Sequence, residues 1–348
     1  MVAPLNWGLG HASRCVPLIR ALQGLGAEVH LASDGQALAF LKATFPALIF
    51  HELPAYDINY AGKSMTLSML RQSAKMLGAV VREQLATKKL AEEQAFDAII
   101  SDGRFGVFCK KIPSFFLSHQ LYLIAPAAIF QKPVSLVNNF FLSNFDEIWT
   151  PDFAGAPNLS GKLSHPAFSE KIHFMGPLTH MKKITAEKKY DLAFVLSGPE
   201  PQRTIFEKMI LTQAGKIDKK CVLVRGLPGT HDPIESPPQM QIFSFLKTED
   251  LNSLMAASEV VVARSGYSTV MDLWALEKAA ILVPTPGQTE QEYLARKFSS
   301  EGIFPTAAQQ DFDLEKLLNE VRKFPGFKKS NYLEVQLEAF LKERLGFL

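Results

Sequence analysis

Two groups of residues in this sequence have the types and spacing to do chemistry. The first is Val260-Val-Val-Ala-Arg264-Ser265-Gly266-Tyr-Ser268-Thr269-Val270-Met-Asp272. An apolar run that reads as a buried strand passes into a small polar turn, and helix formers follow. The amides that open such a helix lack intrahelical partners, and its dipole favours a bound phosphate. Ser265, Ser268 and Thr269 add hydroxyl donors, and the Asp272 carboxylate falls in the first two turns, where ribose hydroxyls could reach it. Serine and threonine are also ordinary helix caps, so this stretch alone leaves both readings open. The continuation favours a site: after one helix, Ala279–Val283 forms another buried strand, ending in Pro284-Thr-Pro-Gly-Gln288-Thr-Glu-Gln291-Glu292. Polar side chains at the carboxyl end of a strand, beside a phosphate-binding turn, are where open α/β sheets hold ligands. Gln291 and Glu292 supply the donors and acceptors that sugar hydroxyls need.

The second group is Leu5-Asn-Trp-Gly8-Leu-Gly10-His11-Ala-Ser13-Arg14, directly after the first strand. His11 stands at or next to a helix start, and an imidazole with an ordinary pKa of about 6.5 suits a general base. Ser101-Asp102-Gly103 ends another strand, so Asp102 is placed to orient that imidazole. The plainer alternatives are a phosphate contact or cap for His11 and a turn role for Asp102. His119, in Ser118-His119-Gln120, is a candidate substrate contact or a buried, hydrogen-bonded histidine. Ser197-Gly198-Pro199-Glu200 either faces a diphosphate or is a simple strand-to-helix turn. Asp311-Phe-Asp313 precedes Leu314-Glu-Lys-Leu-Leu and reads as a helix cap, so no metal is expected and no cofactor is called for.

The elements that must position these residues follow an alternating strand–helix grammar, which indicates an α/β protein with parallel sheets. Strands are expected near Val2–Leu5, Glu28–Ser33, Leu48–Glu52, Ala98–Ser101, Ser114–Leu117 and Glu147–Thr150, with a helix over Ser13–Gly24. The pattern restarts with Asp191–Leu196, Lys220–Arg225, Met240–Phe245, Glu259–Ala263 and Ala279–Pro284. A polar, lysine-rich stretch from Met175 to Lys189 separates the halves, and 348 residues exceed what one core usually serves. The expected domains are 1–177, 178–330 and a C-terminal helix, 331–348, packing back on the first. Almost nothing precedes the first strand, as if the chain began inside it.

Here the sequence resembles the family of UDP-sugar transferases that includes the peptidoglycan UDP-N-acetylglucosamine transferase and the plant galactolipid synthases. Arg264-Ser-Gly266, Thr269, Asp272, Pro284 and Gln291-Glu292 fall in step with that family's donor signature over about 50 residues without a gap. The resemblance implies the glycosyltransferase B fold, two Rossmann-like domains facing a cleft, and inverting transfer of a sugar from a nucleotide-diphosphate donor to a hydroxyl. It further implies that Asp272 holds the ribose, Ser265 to Thr269 the diphosphate, Gln291-Glu292 the sugar, and the Leu246 backbone the base. The glycine turn ending in Gly10-His11 also matches, and related plant-type transferases pair such a histidine with an aspartate as His11 would pair with Asp102. Four departures bear on which sugar is held: Asp272 replaces a glutamate, Glu277-Lys-Ala279 a Gly-x-Pro, Glu292 a second glutamine, and the small-residue pair that follows it is not kept. A UDP-N-acetylglucosamine 2-epimerase and a non-catalytic nucleotide-sugar binder are the rival readings.

The net charge of +2 excludes the strong basic excess of a nucleic-acid binder. Cys15, Cys109 and Cys221 are too widely spaced to suggest a disulfide framework or a metal site, which favours a reducing compartment. No secretory signal or spanning segment is legible, so a cytoplasmic location is expected. One segment qualifies this: between residues 62 and 89, Leu67, Leu70, Leu77 and Val81 repeat at helical spacing, with Met69, Met76 and Val80 beside them. Six basic residues (Lys63, Arg71, Lys75, Arg82, Lys88, Lys89) accompany one acid, Glu83, a local +5. Such a helix can lie on the anionic inner face of a membrane, where a lipid-linked acceptor would be found, or simply pack on a core.

Overall fold

A computed structural model describes residues 1–348 apart from 57–64, 126, 166–169, 229–233, 334 and 348, and of 65–74 and 128 only the backbone. The chain forms two compact units, Met1–Thr179 together with Tyr332–Leu348, and His180–Asn331.

The first unit contains β1 (Val2–Pro4), α1 (Leu9–Gly24), β2 (His30–Ser33), α2 (Gly35–Thr44), β3 (Ile49–Glu52) and α3 (Met65–Gln94). It continues with β4 (Ile99–Asp102), β5 (Ser114–Leu117), α4 (Gln131–Leu142), β6 (Glu147–Thr150) and β7 (Ile172–Phe174). The strands form one sheet in the order β3-β2-β1-β4-β5-β6-β7, every pair parallel. Helices cover such a sheet on its faces, which is why β1, β2, β4 and β5 are buried at every position. The chain builds outward from β1 through β2 to β3, then returns to place β4 on the other side of β1. Where strand order reverses like this, the loops at the carboxyl ends part and leave a crevice.

The second unit repeats the plan with β8 (Tyr190–Val195), α5 (Gln202–Ala214), β9 (Cys221–Val224), β10 (Met240–Phe243), α6 (Thr248–Ala256) and β11 (Ser258–Ala263). It closes with α7 (Tyr267–Leu276), β12 (Ala279–Leu282), α8 (Thr289–Ser300) and α9 (Leu314–Val321). Its strands are also all parallel, in the order β10-β9-β8-β11-β12, so the reversal lies between β8 and β11. Leu192, Phe194, Val260, Val262, Leu223 and Ile281 from four strands share one buried cluster with Phe206 and Ile210 of α5 and Leu314, Leu317 and Val321 of α9. The spacing of those last three gives α9 one apolar face, and Asp313 caps it by accepting from the Lys316 amide at 3.0 Å.

Three expectations are corrected. Helix α1 begins at Leu9, not Ser13, so Gly10 and His11 lie in its first turn. The three-residue edge strand β7 is too short to show a period and was not legible. The C-terminal segment is not one helix over 331–348: the α-helix is α10 (Leu337–Leu345). The residues before it are held by side-chain anchors, Tyr332 on Phe153 at 4.9 Å between centroids and Val335 against Gly176. In α10, Leu341 is fully buried and Phe340 meets Trp149 edge-on at 5.3 Å. All three cysteines are free thiols. Among the described residues, no helix is long and apolar enough to cross a membrane.

Candidate functional site

In the first unit the candidate residues stand at the carboxyl ends of β1, β4 and β5, on the crevice between β1 and β4. The Leu5 amide continues the β1–β4 ladder to the Asp102 carbonyl at 2.9 Å, which brings the loop carrying His11 alongside Asp102. His11 Nδ1 lies 3.0 Å from Asp102 Oδ1. Asp102 is wholly buried, whereas the His11 side chain keeps 21% of its surface. Gly103 makes the pairing possible. Its φ of +76° suits glycine, and a Cβ there would sit 2.9 Å from His11 Cε1.

Sequence reasoning missed the residue that ties this group together. Arg14, one helical turn beyond His11 and buried, donates from Nε to Asp102 Oδ2 at 2.8 Å and from Nη2 to Oδ1. Its Nη1 lies 2.8 Å from His119 Nδ1, so His119 joins the cluster, itself buried. The Cys15 thiol donates to Asp102 Oδ2 at 3.3 Å. Burial and then the Arg14 charge push His11 below the ordinary histidine range, against the pull of Asp102. Burial alone would raise Asp102, but Arg14 and His11 outweigh it and hold the carboxyl well below its usual range. Burial and the adjacent Asp102 push the Cys15 thiol far up, so it stays protonated. The i, i+3 spacing of His11 and Arg14 was the available signal.

A second buried cluster fastens the surroundings. Arg104, fully buried, donates to Glu83 of α3, to Asp34 Oδ1 at 2.7 Å and to the Pro54 carbonyl at 2.9 Å. Tyr56 donates to Glu83 Oε2 at 2.8 Å, and Asn6 to Asp34 Oδ2 at 3.0 Å. Glu83 therefore belongs to the interior, and the outer side of α3 is more basic than the raw count implies. Ala79, Glu83 and Thr87 are buried at i, i+4, i+8, while Leu77, Val81 and Leu85 are 52–62% exposed along the opposite row. Lys75, Arg82, Lys88 and Lys89 are exposed. Lys63 lies outside the described residues, as do the side chains of Leu67, Met69, Leu70 and Arg71.

In the second unit the turn after β8 and the start of α7 meet at the β8–β11 crevice. Ser197 and Gly198 are exposed there, and Gly198 has φ +102°. Helix α7 opens on Gly266, which has no side chain to cap it. Ser268, Thr269 and Asp272 are partly exposed along its first two turns, and Leu246 is half-buried between β10 and α6. The other expected contacts are engaged in building the loop. Ser265 is buried and donates to the Gln291 carbonyl at 2.8 Å. Gln291 accepts from the Thr285 amide at 2.9 Å and donates to the Gln288 side chain, and Glu292 accepts from the Gly287 amide at 2.9 Å. One residue not anticipated is Thr285: its hydroxyl is buried with no hydrogen-bond partner among the described residues, 3.3 Å from where a Cβ on Gly198 would stand.

Arg264 is fully buried behind the turn. It donates to the carbonyls of Val283 and Pro284 at 3.2 Å, of Gln202 at 2.9 Å, and to Gln309 Oε1 at 2.6 Å. Its guanidinium lies 4.4 Å from the Phe206 ring centroid. No carboxylate pairs with it among the described residues, and burial pushes its pKa down to about 10. Nearby, Glu207 binds both Arg203 (2.7 Å) and Arg225 (2.8 Å), fixing the base of α5 under the Ser197 turn.

Residues 192–343 match the glycosyltransferase family 28 C-terminal domain. An uncharacterized glycosyltransferase of Methanosarcina mazei is 26% identical over 321 residues, 85% of this chain and 82% of that protein. The UDP-N-acetylglucosamine--N-acetylmuramyl-(pentapeptide) pyrophosphoryl-undecaprenol N-acetylglucosamine transferase of Haemophilus influenzae is 23% identical over 272 residues, 75% of this chain and 72% of that one. Among solved structures, the glycotransferase of kitacinnamycin superposes with a TM-score of 0.65 at 15% identity, over 99% of this chain and 94% of that chain. Acinetobacter baumannii MurG superposes at 0.60 with 10% identity, over 100% and 99%. The match to the family 28 C-terminal domain over most of the second unit and into the returning residues 332–343, with a fold of two Rossmann-like domains, supports a glycosyltransferase of the glycosyltransferase B type that resembles the MurG family.

Proposed function

We propose that the chain is an inverting transferase that moves a hexosyl or N-acetylhexosaminyl group from a UDP-sugar to a hydroxyl acceptor. The observation that carries this reading is the His11–Asp102 pair, 3.0 Å apart on a strand-order reversal of a parallel sheet. His11 Nε2 takes the acceptor's hydroxyl proton as that oxygen bonds to the anomeric carbon. The bond from that carbon to the diphosphate breaks, and the nucleoside diphosphate leaves with the electron pair. Depression of the imidazole pKa keeps His11 uncharged and ready for this step near neutral pH.

The donor is assigned to the second unit. Ser197 and Gly198 on one side and the α7 start with Ser268 and Thr269 on the other hold the diphosphate, and Asp272 the ribose. Ser265, Gln291 and Glu292 shape the pocket through their loop bonds, and rearrangement of the Gln291 and Glu292 side chains would bring them to the sugar. Arg264 acts through its charge rather than by contact: a buried cation without a carboxylate favours an anion in front of it. The Leu246 backbone is assigned to the base, and Gly10 and His119 to the acceptor. No metal is assigned a role.

The acceptor is proposed to be lipid-linked or another cell-envelope precursor, reached at the inner face of an anionic membrane. Support comes from the exposed Leu77, Val81 and Leu85 row of α3, flanked by lysines and an arginine. Helix α4 adds exposed Leu136, Val137 and Phe140, and its Phe141 packs on the same cluster as Ala79 and Val80 of α3. The testing experiment is His11→Ala: turnover of a UDP-sugar should fall by about 10²–10⁴-fold while UDP-sugar affinity stays within about twofold, since the substituted group binds no donor in this scheme. Retained turnover would place the base elsewhere.

A further inference from the structure

We propose that Arg14 is a positioning residue that sets two imidazoles in opposite tautomers, His11 with its proton on Nδ1 and His119 with its proton on Nε2. A guanidinium has five N–H donors and no acceptor. The 2.8 Å approach of Arg14 Nη1 to His119 Nδ1 is therefore a hydrogen bond only if that nitrogen accepts, which puts the His119 proton on Nε2. At His11 the same logic runs the other way. Its Nδ1 lies 3.0 Å from Asp102 Oδ1, a carboxylate oxygen that can only accept. It also lies 2.9 Å from Arg14 Nη2, a donor. One ring nitrogen cannot donate to the first and accept from the second.

Charge decides between them. Arg14 grips Asp102 with Nε on one oxygen and Nη2 on the other, and charge-assisted bonds of this fork geometry are roughly twice as strong as neutral ones. Nη2 carries two protons, but Oδ1 and His11 Nδ1 stand only 3.0 Å apart, whereas the two N–H bonds of one nitrogen diverge by about 120°. With one proton fixed on Oδ1 by the fork, the second points wide of His11 Nδ1, which donates to that same oxygen instead. The lone pair of His11 is left on Nε2. One guanidinium thus leaves one imidazole with an accepting Nε2 and the other with a donating Nε2.

The groups around His11 come from three elements: Arg14 from α1 and Asp102 from β4 touch it, Cys15 of α1 touches Asp102, and His119, after β5, touches Arg14. Because Arg14 already neutralises Asp102, a proton added to His11 Nε2 would create a net positive cluster. Arg14 therefore holds the resting imidazole uncharged as well as oriented. The consequence for transfer rests on His11 being the base; the tautomers themselves do not.

The test is 15N NMR of the histidine ring nitrogens in the full labelled chain, with His11→Gln and His119→Gln assigning the two rings. The expected result is a protonated Nδ1 with a bare Nε2 in His11 and the reverse in His119. In Arg14→Met, His119 should lose its single tautomer and the His11 titration midpoint should move upward. Arg14→Lys, which keeps charge but cannot fork across a carboxylate, should lose the His119 preference too. The same tautomer in both rings of the unaltered chain overturns the inference, even if the variants fail to fold. So does an unchanged pair in a folded Arg14→Met. Opposite tautomers in a chain whose His11→Ala variant still turns over would spare this inference and sink the proposed base.

Discussion

At the scale of single residues, the partners of a group fix what it can do. His11→Ala should lower turnover by about 10²–10⁴-fold, the ordinary contribution of a positioned base, measured with a UDP-sugar and any competent acceptor. Folding stability supplies a check that needs no substrate. The folded-state pKa of His11 is depressed, so below about pH 6.5 the unfolded chain binds a proton that the native ring refuses. Stability contributed there is present above that pH and falls on acidification. Asp102, also depressed, works in the same direction below about pH 4, where the unfolded carboxylate takes up its proton. Denaturation midpoints should drop between pH 7 and 5, and His11→Gln should flatten that slope; an identical slope in the variant would contradict an imidazole held neutral by its surroundings. Thr285→Val tests the second unit. Removing a buried hydroxyl that has no partner among the described residues should leave the unliganded protein as stable or slightly more so, while donor affinity falls several-fold, about 1 kcal/mol, if that hydroxyl meets the ligand. Residue types announced His11, Asp102 and the Ser265–Thr269 run. They did not announce Arg14 or Thr285, whose significance lies in what stands next to them, and they did not show that Gln291 and Glu292 bond to their own loop.

At the scale of elements, strand ends decide which residues meet. Gly103→Ala should be damaging far beyond its one carbon, because φ is +76° and the new Cβ would press on His11 Cε1. A displacement of this kind costs about 10²-fold in turnover, with donor binding by the second unit unchanged. Normal turnover in that variant would mean the His11 position is not critical. Helix α3 carries its own prediction. Arg82→Glu combined with Lys88→Glu and Lys89→Glu should abolish co-sedimentation with anionic vesicles and leave binding of soluble nucleotide untouched. Equal sedimentation of the variant would reduce this face to a solvated surface. Central strands were legible because parallel strands buried on both faces read as short apolar runs; β5 and β6 have the bounds expected from sequence. The edge strands β3, β10 and β12 were also foreseen, but the fourth edge strand and the last helix were not. Strand β7 has three residues and no period, and α10 is shorter than its apolar pattern because Tyr332 and Val335 are anchored outside any helix.

At the scale of the molecule, two parallel sheets each place their candidate residues at the point where strand order reverses. That there are two such units could be foreseen, since the strand–helix alternation stops and restarts across a lysine-rich stretch; the strand order could not. The return of residues 332–348 to the first unit is set by tertiary partners such as Trp149 and Glu147, which sequence distance conceals. The central claim is that the second unit holds a nucleotide-diphosphate sugar, and a thermal-shift screen tests it most directly. UDP, TDP and GDP, each alone and as its sugar, would be added to the full chain at saturating concentration. A ligand at 100 times its Kd stabilises by about 2.7 kcal/mol, so UDP and one UDP-sugar should raise the melting temperature by several degrees. The same screen on Ser268→Ala/Thr269→Ala should lose most of that rise. No stabilisation by any nucleotide would contradict the account.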